Sequence, residues 1–367
     1  MTRHRIALWS LLAVLALTLT LTWIGTSGCN KKAEEVTIGV IAPLTGDGAT
    51  YGAAMKRGFE LATAGRNIRL IYEDSKLQPK EGVTAIQKLI SQDKVKVVFG
   101  AAASGVTLAM APIAERNGVI LFSSISTTDE LKNAGQYVFR NVPRNEIQGV
   151  TAADFVHDVL KCKRPAILKK NDEYGTNLAD SFADRIAALG DTVVFDEAYN
   201  PGETDFRTTI TKIKKQNPGM VYIPGNYQEV AVFLVQAKEA GLKVPLVGGD
   251  GSYSPELINL AGDAANGSYY TMMAVKKQPF YDSFEAAFKA KYNRDPDVYD
   301  AYAYEAGIIL LTAIDSVGYD ATKIKDFLLK HRFEESLTGP LTFDEFGEVN
   351  RQYGIVTVKN GQFEFLE

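Results

Sequence analysis

Three short segments carry side chains fit for chemistry. Ser104-Gly105 closes FGAAASG, Ser126-Thr127 lies within SSISTTDEL, and Asp250 lies within VGGDG. Each follows an apolar run that reads as a strand. Hydroxyls and backbone N–H groups at the start of a helix suit a small anion such as a carboxylate. A carboxylate at a strand end, such as Asp250, suits a cation, because a charge in a closed site is costly unless it is paired. Local sequence leaves plainer readings open. Ser104 also fits a helix N-cap, Thr127 a turn residue, and Asp250 a turn Asp beside glycine. Bond-breaking chemistry finds less support. The chain has no Walker A motif, no HExxH and no GxSxG, so no enzyme and no cofactor is expected. Of its three histidines, His4 is near the N-terminus while His157 and His331 are far apart, and no metal cluster can be read from them.

These residues need elements to position them. In Val36–Ala62, the β-branched run Val36, Ile38, Val40 and Ile41 ends at Pro43. Gly46, Gly48 and Gly52 then allow a tight loop, and Met55, Phe59 and Ala62 recur at helical spacing. The same alternation continues. Strands are expected at Ile68–Glu73, Val95–Phe99, Val119–Ser123 and Tyr137–Arg140. The pattern restarts after Asn145, with strands at Pro165–Leu168, Thr192–Phe195, Met220–Ile223 and Leu246–Gly248. Two such series imply two open, mostly parallel sheets covered by helices on both faces. Loops at the carboxyl ends of such strands are where ligands bind. Later come helices marked by Phe280, Phe284 and Phe288, and by Tyr299 through Val317. The tail, Leu341–Phe343, Gly354–Val358 and Phe363–Leu366, reads as a β-meander.

Composition narrows the class. A net charge of -4 with no long basic run gives nucleic-acid binding little support. Residues 1–29 read as a secretory targeting segment: Arg3 and Arg5, then apolar Ile6–Ile24, then Thr26-Ser27-Gly28-Cys29. Cleavage before Cys29 with lipid on its thiol is expected, although Thr26 stands where a lipobox has Leu. An uncleaved anchor stays open, since the apolar run is long enough to span a bilayer. Residues 30–35 read as a linker. Either route puts the soluble part outside the cytoplasm, periplasmic or at the cell surface. If Cys29 is lipidated, Cys162 is alone and no internal disulfide forms. Lys161-Cys162-Lys163-Arg164 and Lys169-Lys170 read as solvated basic clusters.

PLTG followed by YG resembles the first strand and loop of the branched-chain amino-acid-binding proteins, the Leu/Ile/Val type of type I periplasmic binding protein. FGAAASG, SSISTTDEL, NDEYGTNLA, DFRTTITKIKKQNPGMVYIPG, VGGDG and LTGPLTFDEFGE match family patterns in order. The resemblance implies two doubly wound open parallel-sheet lobes joined by a three-segment hinge. Crossings are implied near Arg144, Val275 and Gly339. That gives an N-terminal lobe of residues 36–144 and 276–339 and a C-terminal lobe of 145–275 and 340–367. It also implies hinge closure around a ligand. The first-lobe disulfide of several members is absent, since Lys76 and Ala103 occupy the matching positions. Between Ala62 and Ile68 the chain is shorter than the family.

The resemblance also implies a ligand set. Ser104 and Thr127 would hold a ligand carboxylate, and backbone carbonyls near Ile125 or Ser126 would accept from an ammonium, whose counter-charge would be Asp250. Tyr51 and Tyr174 would line the cleft, facing the ammonium through their rings. Tyr227 stands where the family often has paired tyrosines, with Asn226 in the first place, a substitution that admits a polar ligand. Tyr253, Tyr299 and Tyr302 are weaker candidates. The implied function is capture of a small molecule, an L-amino acid first, and delivery to an ABC permease, from a membrane tether at Cys29. The alternative is a sensor for an amide, urea or aromatic acid coupled to a membrane signalling partner.

Overall fold

The computed structural model describes residues 35–273, 275 and 278–366. The expectations for residues 1–29 and for Cys29 lie outside them. Among the described residues no helix is long and apolar enough to cross a membrane.

The first sheet is made of β1 (Val36–Ala42), β2 (Ile68–Asp74), β3 (Val97–Gly100), β4 (Ile120–Ser123) and β5 (Val138–Arg140). Its order is β2-β1-β3-β4-β5, and the pairs β1–β3, β3–β4 and β4–β5 are parallel. The strands are short and apolar because helices cover them: α1 (Ala49–Ala62), α2 (Pro79–Ser91) and α3 (Ser104–Asn117). Ile86, Leu89, Val98, Val106, Met110 and Leu121 fill one core with no exposure.

After α4 (Asn145–Asp158) the second sheet begins. It takes β6 (Pro165–Lys170), β7 (Phe195–Tyr199), β8 (Met220–Ile223), β9 (Leu246–Gly248) and β10 (Tyr269–Met273), with α5 (Glu173–Ala188), α6 (Arg207–Lys215), α7 (Tyr227–Glu239) and α8 (Pro255–Ala261) between them. The chain then forms α9 (Pro279–Tyr292), α10 (Val298–Val317) and α11 (Ala321–Lys330), and returns as β11 (Tyr353–Lys359) and β12 (Gln362–Phe365). The order is β12-β11-β10-β9-β8-β6-β7, and β10–β11 and β11–β12 are antiparallel. The architecture is therefore two α/β lobes on parallel sheets, the second carrying an antiparallel edge.

The late helices α9 and α10 pack on the first lobe. α10 lies close against α1 because glycines meet there. A Cβ on Gly58 would sit 2.2 Å from the Asp300 carbonyl, and one on Gly307 2.5 Å from Ala62. Asp297 caps α10, accepting from the N–H groups of Tyr299 and Asp300.

Four details differ from the sequence reading. β7 begins where Thr192–Phe195 was expected to end. It is the sheet edge, so its residues alternate between buried and exposed, and the apolar signal of Val193 comes instead from packing on the core. β10 was not expected at all. Leu341–Phe343 is no strand of a meander; it makes isolated bridges, Phe333 to Leu341 and Phe343 to Val349. The third crossing also falls later than Gly339. Phe343 packs edge-on against Phe122 and Phe139, and the Arg140 N–H donates to the Gly347 carbonyl. Residues 341–348 therefore belong to the first lobe, and the chain leaves it between Val349 and Tyr353.

A buried cluster ties the connectors. Arg351 donates to both carboxylate oxygens of Glu305, at 2.6 and 2.7 Å, and to the Asn141 carbonyl at 2.7 Å. Asn141 donates its amide to Glu305 at 2.7 Å. A buried ion pair is tolerable only with such extra bonds around it.

Candidate functional site

The loops leaving β1, β2 and β3 of one lobe face those leaving β6, β8 and β9 of the other. They enclose a cavity of ≈ 750 Å³. This is the crevice at the carboxyl ends of parallel strands, where open α/β sheets bind ligands.

On the first wall, Ala102, Ala103, Ser104 and Gly105 lead into α3. The first N–H groups of a helix have no partner within it, and the dipole there favours an anion. A buried set of hydroxyls holds this loop. Ser123 Oγ donates to the Ala101 carbonyl at 2.7 Å, Ser126 Oγ donates to the same carbonyl at 3.0 Å, and Ser126 shares a bond of 2.7 Å with Thr107. Ser104 is the first residue of the helix rather than its cap, and its Oγ accepts from the Thr128 N–H at 3.4 Å. Ile125 lines the cavity beside it. The buried Arg140 braces the neighbouring loop from behind, donating to the carbonyls of Thr128 at 2.7 Å and Ser126 at 3.3 Å.

On the second wall Asp250 follows β9. It is 7% exposed, and its Oδ1 accepts from Tyr174 Oη at 2.7 Å and from the Gly251 N–H at 3.0 Å. Burial pushes its pKa above the ordinary aspartate value. Burial likewise raises the Tyr174 phenol well above its usual range, with Asp250 adding to the effect, so the phenol stays a donor.

Of the residues singled out in the sequence, Tyr51, Ser104, Ile125, Tyr174, Asn226 and Asp250 line this one cavity. Three do not. The Ser126 hydroxyl is spent on the Ala101 loop, and its carbonyl takes Arg140. Thr127 is 1% exposed, with a buried Oγ1 that has no hydrogen-bond partner. Tyr227 opens α7 and turns its hydroxyl to Thr50, 3.0 Å away across the seam between lobes. Tyr299, a weaker candidate, lines the cavity and donates to the Asp250 carbonyl at 2.6 Å. Tyr253 and Tyr302 are not among the lining residues. Tyr253 stacks on Phe363 and Tyr302 donates to the Met273 carbonyl.

Other cross-lobe bonds flank the cavity. Tyr51 donates to the Gly251 carbonyl, Thr128 donates to Glu173 at 2.8 Å, and the Asp129 N–H donates to Asn177 at 3.1 Å. The Tyr51 ring meets Tyr227 and Tyr299 edge-on at centroid distances of 5.5 and 5.4 Å.

Sequence reasoning missed the charged part of the second wall. Lys170 was read as solvated, yet it is 5% exposed and its Nζ lies 3.1 Å from Glu229 and 3.7 Å from Asp172. All three line the cavity. The available signal was strand alternation: Lys169 reaches outward to Asp180 and Asp196, so Lys170 must point the other way. Cys162, also read within a solvated cluster, is buried. Lys76 and Ala103, the positions that the resemblance matches to a family disulfide, both line the cavity. Among the described residues no group of three His, Cys, Asp or Glu could hold a metal ion.

Comparison with known proteins adds the following. The family model described as "Periplasmic binding protein" matches residues 35–362. A leucine-, isoleucine-, valine-, threonine- and alanine-binding protein of Pseudomonas aeruginosa is 30% identical over 338 residues, 89% of this chain and 90% of that protein. A leucine-binding protein of Thermotoga maritima superposes with a TM-score of 0.87 at 29% identity, covering 90% of this chain and 98% of that one. A branched-chain amino acid transporter substrate-binding protein of Streptococcus pneumoniae, in complex with isoleucine, gives 0.83 at 29% identity, with 90% and 98% covered.

Proposed function

The chain belongs to the periplasmic binding protein family, substrate-binding proteins of the ABC-transporter type, and on that premise we propose that it captures a free L-amino acid between its lobes. The observation that carries this reading is Asp250, a buried carboxylate on one wall of a cavity whose other wall presents the start of α3. A zwitterion answers both. Its carboxylate takes the free N–H groups and the Ser104 hydroxyl, with Thr127 close behind, and its ammonium takes Asp250. A plain carboxylic acid would leave Asp250 unpaired, which disfavours the aromatic-acid reading. Each charge of the ligand then binds a different lobe, so binding favours the closed form.

The protein acts as a receptor without turnover and passes its ligand to a membrane permease, tethered through Cys29. Several relatives carry names of aliphatic amino-acid binders, which supports the ligand class at the level of an amino acid. The test is calorimetry on the purified full chain, unfolded and refolded to strip carried-over ligand. Binding of an L-amino acid, lost with its decarboxylated and its deaminated analogues, is expected. Equal binding of the deaminated acid would sink the role of Asp250.

A further inference from the structure

The cavity holds more polar chemistry than a zwitterion's two charges use. Besides Ser104, Ile125 and Asp250, its lining includes Lys170, Asp172, Gly202, Asn226 and Glu229. Glu229 is 5% exposed. One of its oxygens, Oε1, is saturated: Lys170 Nζ lies 3.1 Å away, and the Gly202 N–H donates at 3.1 Å. The other, Oε2, is buried and has no hydrogen-bond partner. The Tyr199 hydroxyl is buried and equally without a partner, and it packs so close to Gly225 that a Cβ there would meet it at 1.8 Å. The local charge is also unbalanced, with two carboxylates, Asp172 and Glu229, around one ammonium.

An aliphatic side chain against this wall would leave Glu229 Oε2 without a donor. A buried acceptor left unmatched is costly, and more so when it is charged. We infer that the ligand is an amino acid whose side chain carries a hydrogen-bond donor, a hydroxyl, amide or basic group, and that Glu229 Oε2 receives it. This rests on the reading that the cleft binds an amino acid. Specificity would then come from a mismatch penalty against branched aliphatic side chains, which is the larger kind of discrimination: a site built to hydrogen-bond a substrate group rejects the analogue lacking it far more strongly than an apolar pocket rejects a missing methylene.

Calorimetry on the stripped full chain tests this with matched pairs of nearly equal shape: threonine against valine, asparagine against leucine, and lysine against norleucine. In at least one pair the donor-bearing member is expected to bind about tenfold tighter or more. In Glu229→Gln, Oε1 keeps its two donors while the free oxygen becomes an amide N–H₂. That variant should erase the preference, weakening the donor-bearing ligand about tenfold and the aliphatic one less than about threefold. The inference is overturned if the aliphatic member binds as well or better in every pair, or if Glu229→Gln weakens both members alike. If Glu229→Gln does not fold, judged by its thermal melt, the matched pairs on the unsubstituted chain decide alone. A different result separates the underlying reading: if no member of any pair binds while a deaminated acid does, the amino-acid assignment itself falls and takes this inference with it.

Discussion

The two walls of the cleft solve opposite problems. Around the start of α3 the first-lobe wall is uncharged and small, with Ala102, Ala103, Ser104 and Gly105 held in place by buried hydroxyls, while Asp47, Lys76 and Tyr51 line it further out. The second-lobe wall carries more charge: Lys170, Asp172, Glu229 and Asp250, with Tyr174 bonded to Asp250. Fixed dipoles bind an anion without a buried counter-charge, so the first wall costs little to maintain when empty. The second wall must keep its own charges satisfied in the absence of ligand. It does so by pairing them with one another and with phenols, and it leaves single atoms, such as Glu229 Oε2, unmatched. On the proposed reading, affinity for a zwitterion head is shared by both walls, whereas discrimination among side chains rests on the second.

Several measurements would break or sharpen that contrast. The largest effect is expected from Asp250→Ala, which removes the proposed partner of the ligand ammonium. Amino-acid binding should weaken by about 2–5 kcal/mol, roughly 30- to 5,000-fold in Kd. A loss below about tenfold would take Asp250 out of the site. Acidification should approach the same limit. The Asp250 pKa is raised by burial, so the carboxylate gains its proton at a higher pH than a free aspartate would. Affinity should therefore fall as the pH drops through that raised pKa, and calorimetry across pH should find the slope flattened in Asp250→Ala. The sign for this group's share of unliganded stability is the reverse. The folded chain holds the proton more tightly than the unfolded one, so Asp250 destabilises the fold above its raised pKa, and that penalty is lost as the pH falls from the raised pKa to the ordinary aspartate value.

On the first-lobe wall the effects should be smaller. Ser104→Ala removes one hydroxyl from the carboxylate and leaves the helix amides, so a loss of about 1.5–3 kcal/mol is expected, also by calorimetry. If it matches Asp250→Ala, the division between walls is wrong. Smallest of all is Tyr51→Phe, which deletes one bond to Gly251 and keeps both ring contacts. It should change affinity by about 0.5–1.5 kcal/mol.

How much of this was readable beforehand depended on what kind of signal each residue leaves. The strand ends carrying Ser104 and Asp250 were visible because short apolar runs stop there and glycines follow. Tyr51 and Tyr174 came from motif position, not from any pattern of their own. The Lys170–Glu229 pair left no such mark, because its members are far apart in the chain and meet only through the parallel pairing of β6 and β8. The late crossing was hidden for a related reason. Nothing local in LTFDEFGE says that Phe343 will enter an aromatic pocket formed by Phe122, Phe139 and Phe333. Ser126 and Tyr227 show the converse: polar groups at the right place in the chain whose bonding capacity is already spent on the protein itself.

The ring contacts at the seam have an optical consequence. Both tryptophans, Trp9 and Trp23, precede Cys29, so the described residues contain none, and ultraviolet emission from the two lobes comes from tyrosine. Tyr51 touches Tyr227 on the opposite lobe and Tyr299 on its own, and Tyr299 in turn touches Tyr302. Separating the lobes would pull Tyr51 from Tyr227 and from the Gly251 carbonyl, changing both the neighbours and the hydrogen bonding of a chromophore. In a chain freed of its first 29 residues, tyrosine fluorescence would report opening and closing directly, with no added dye.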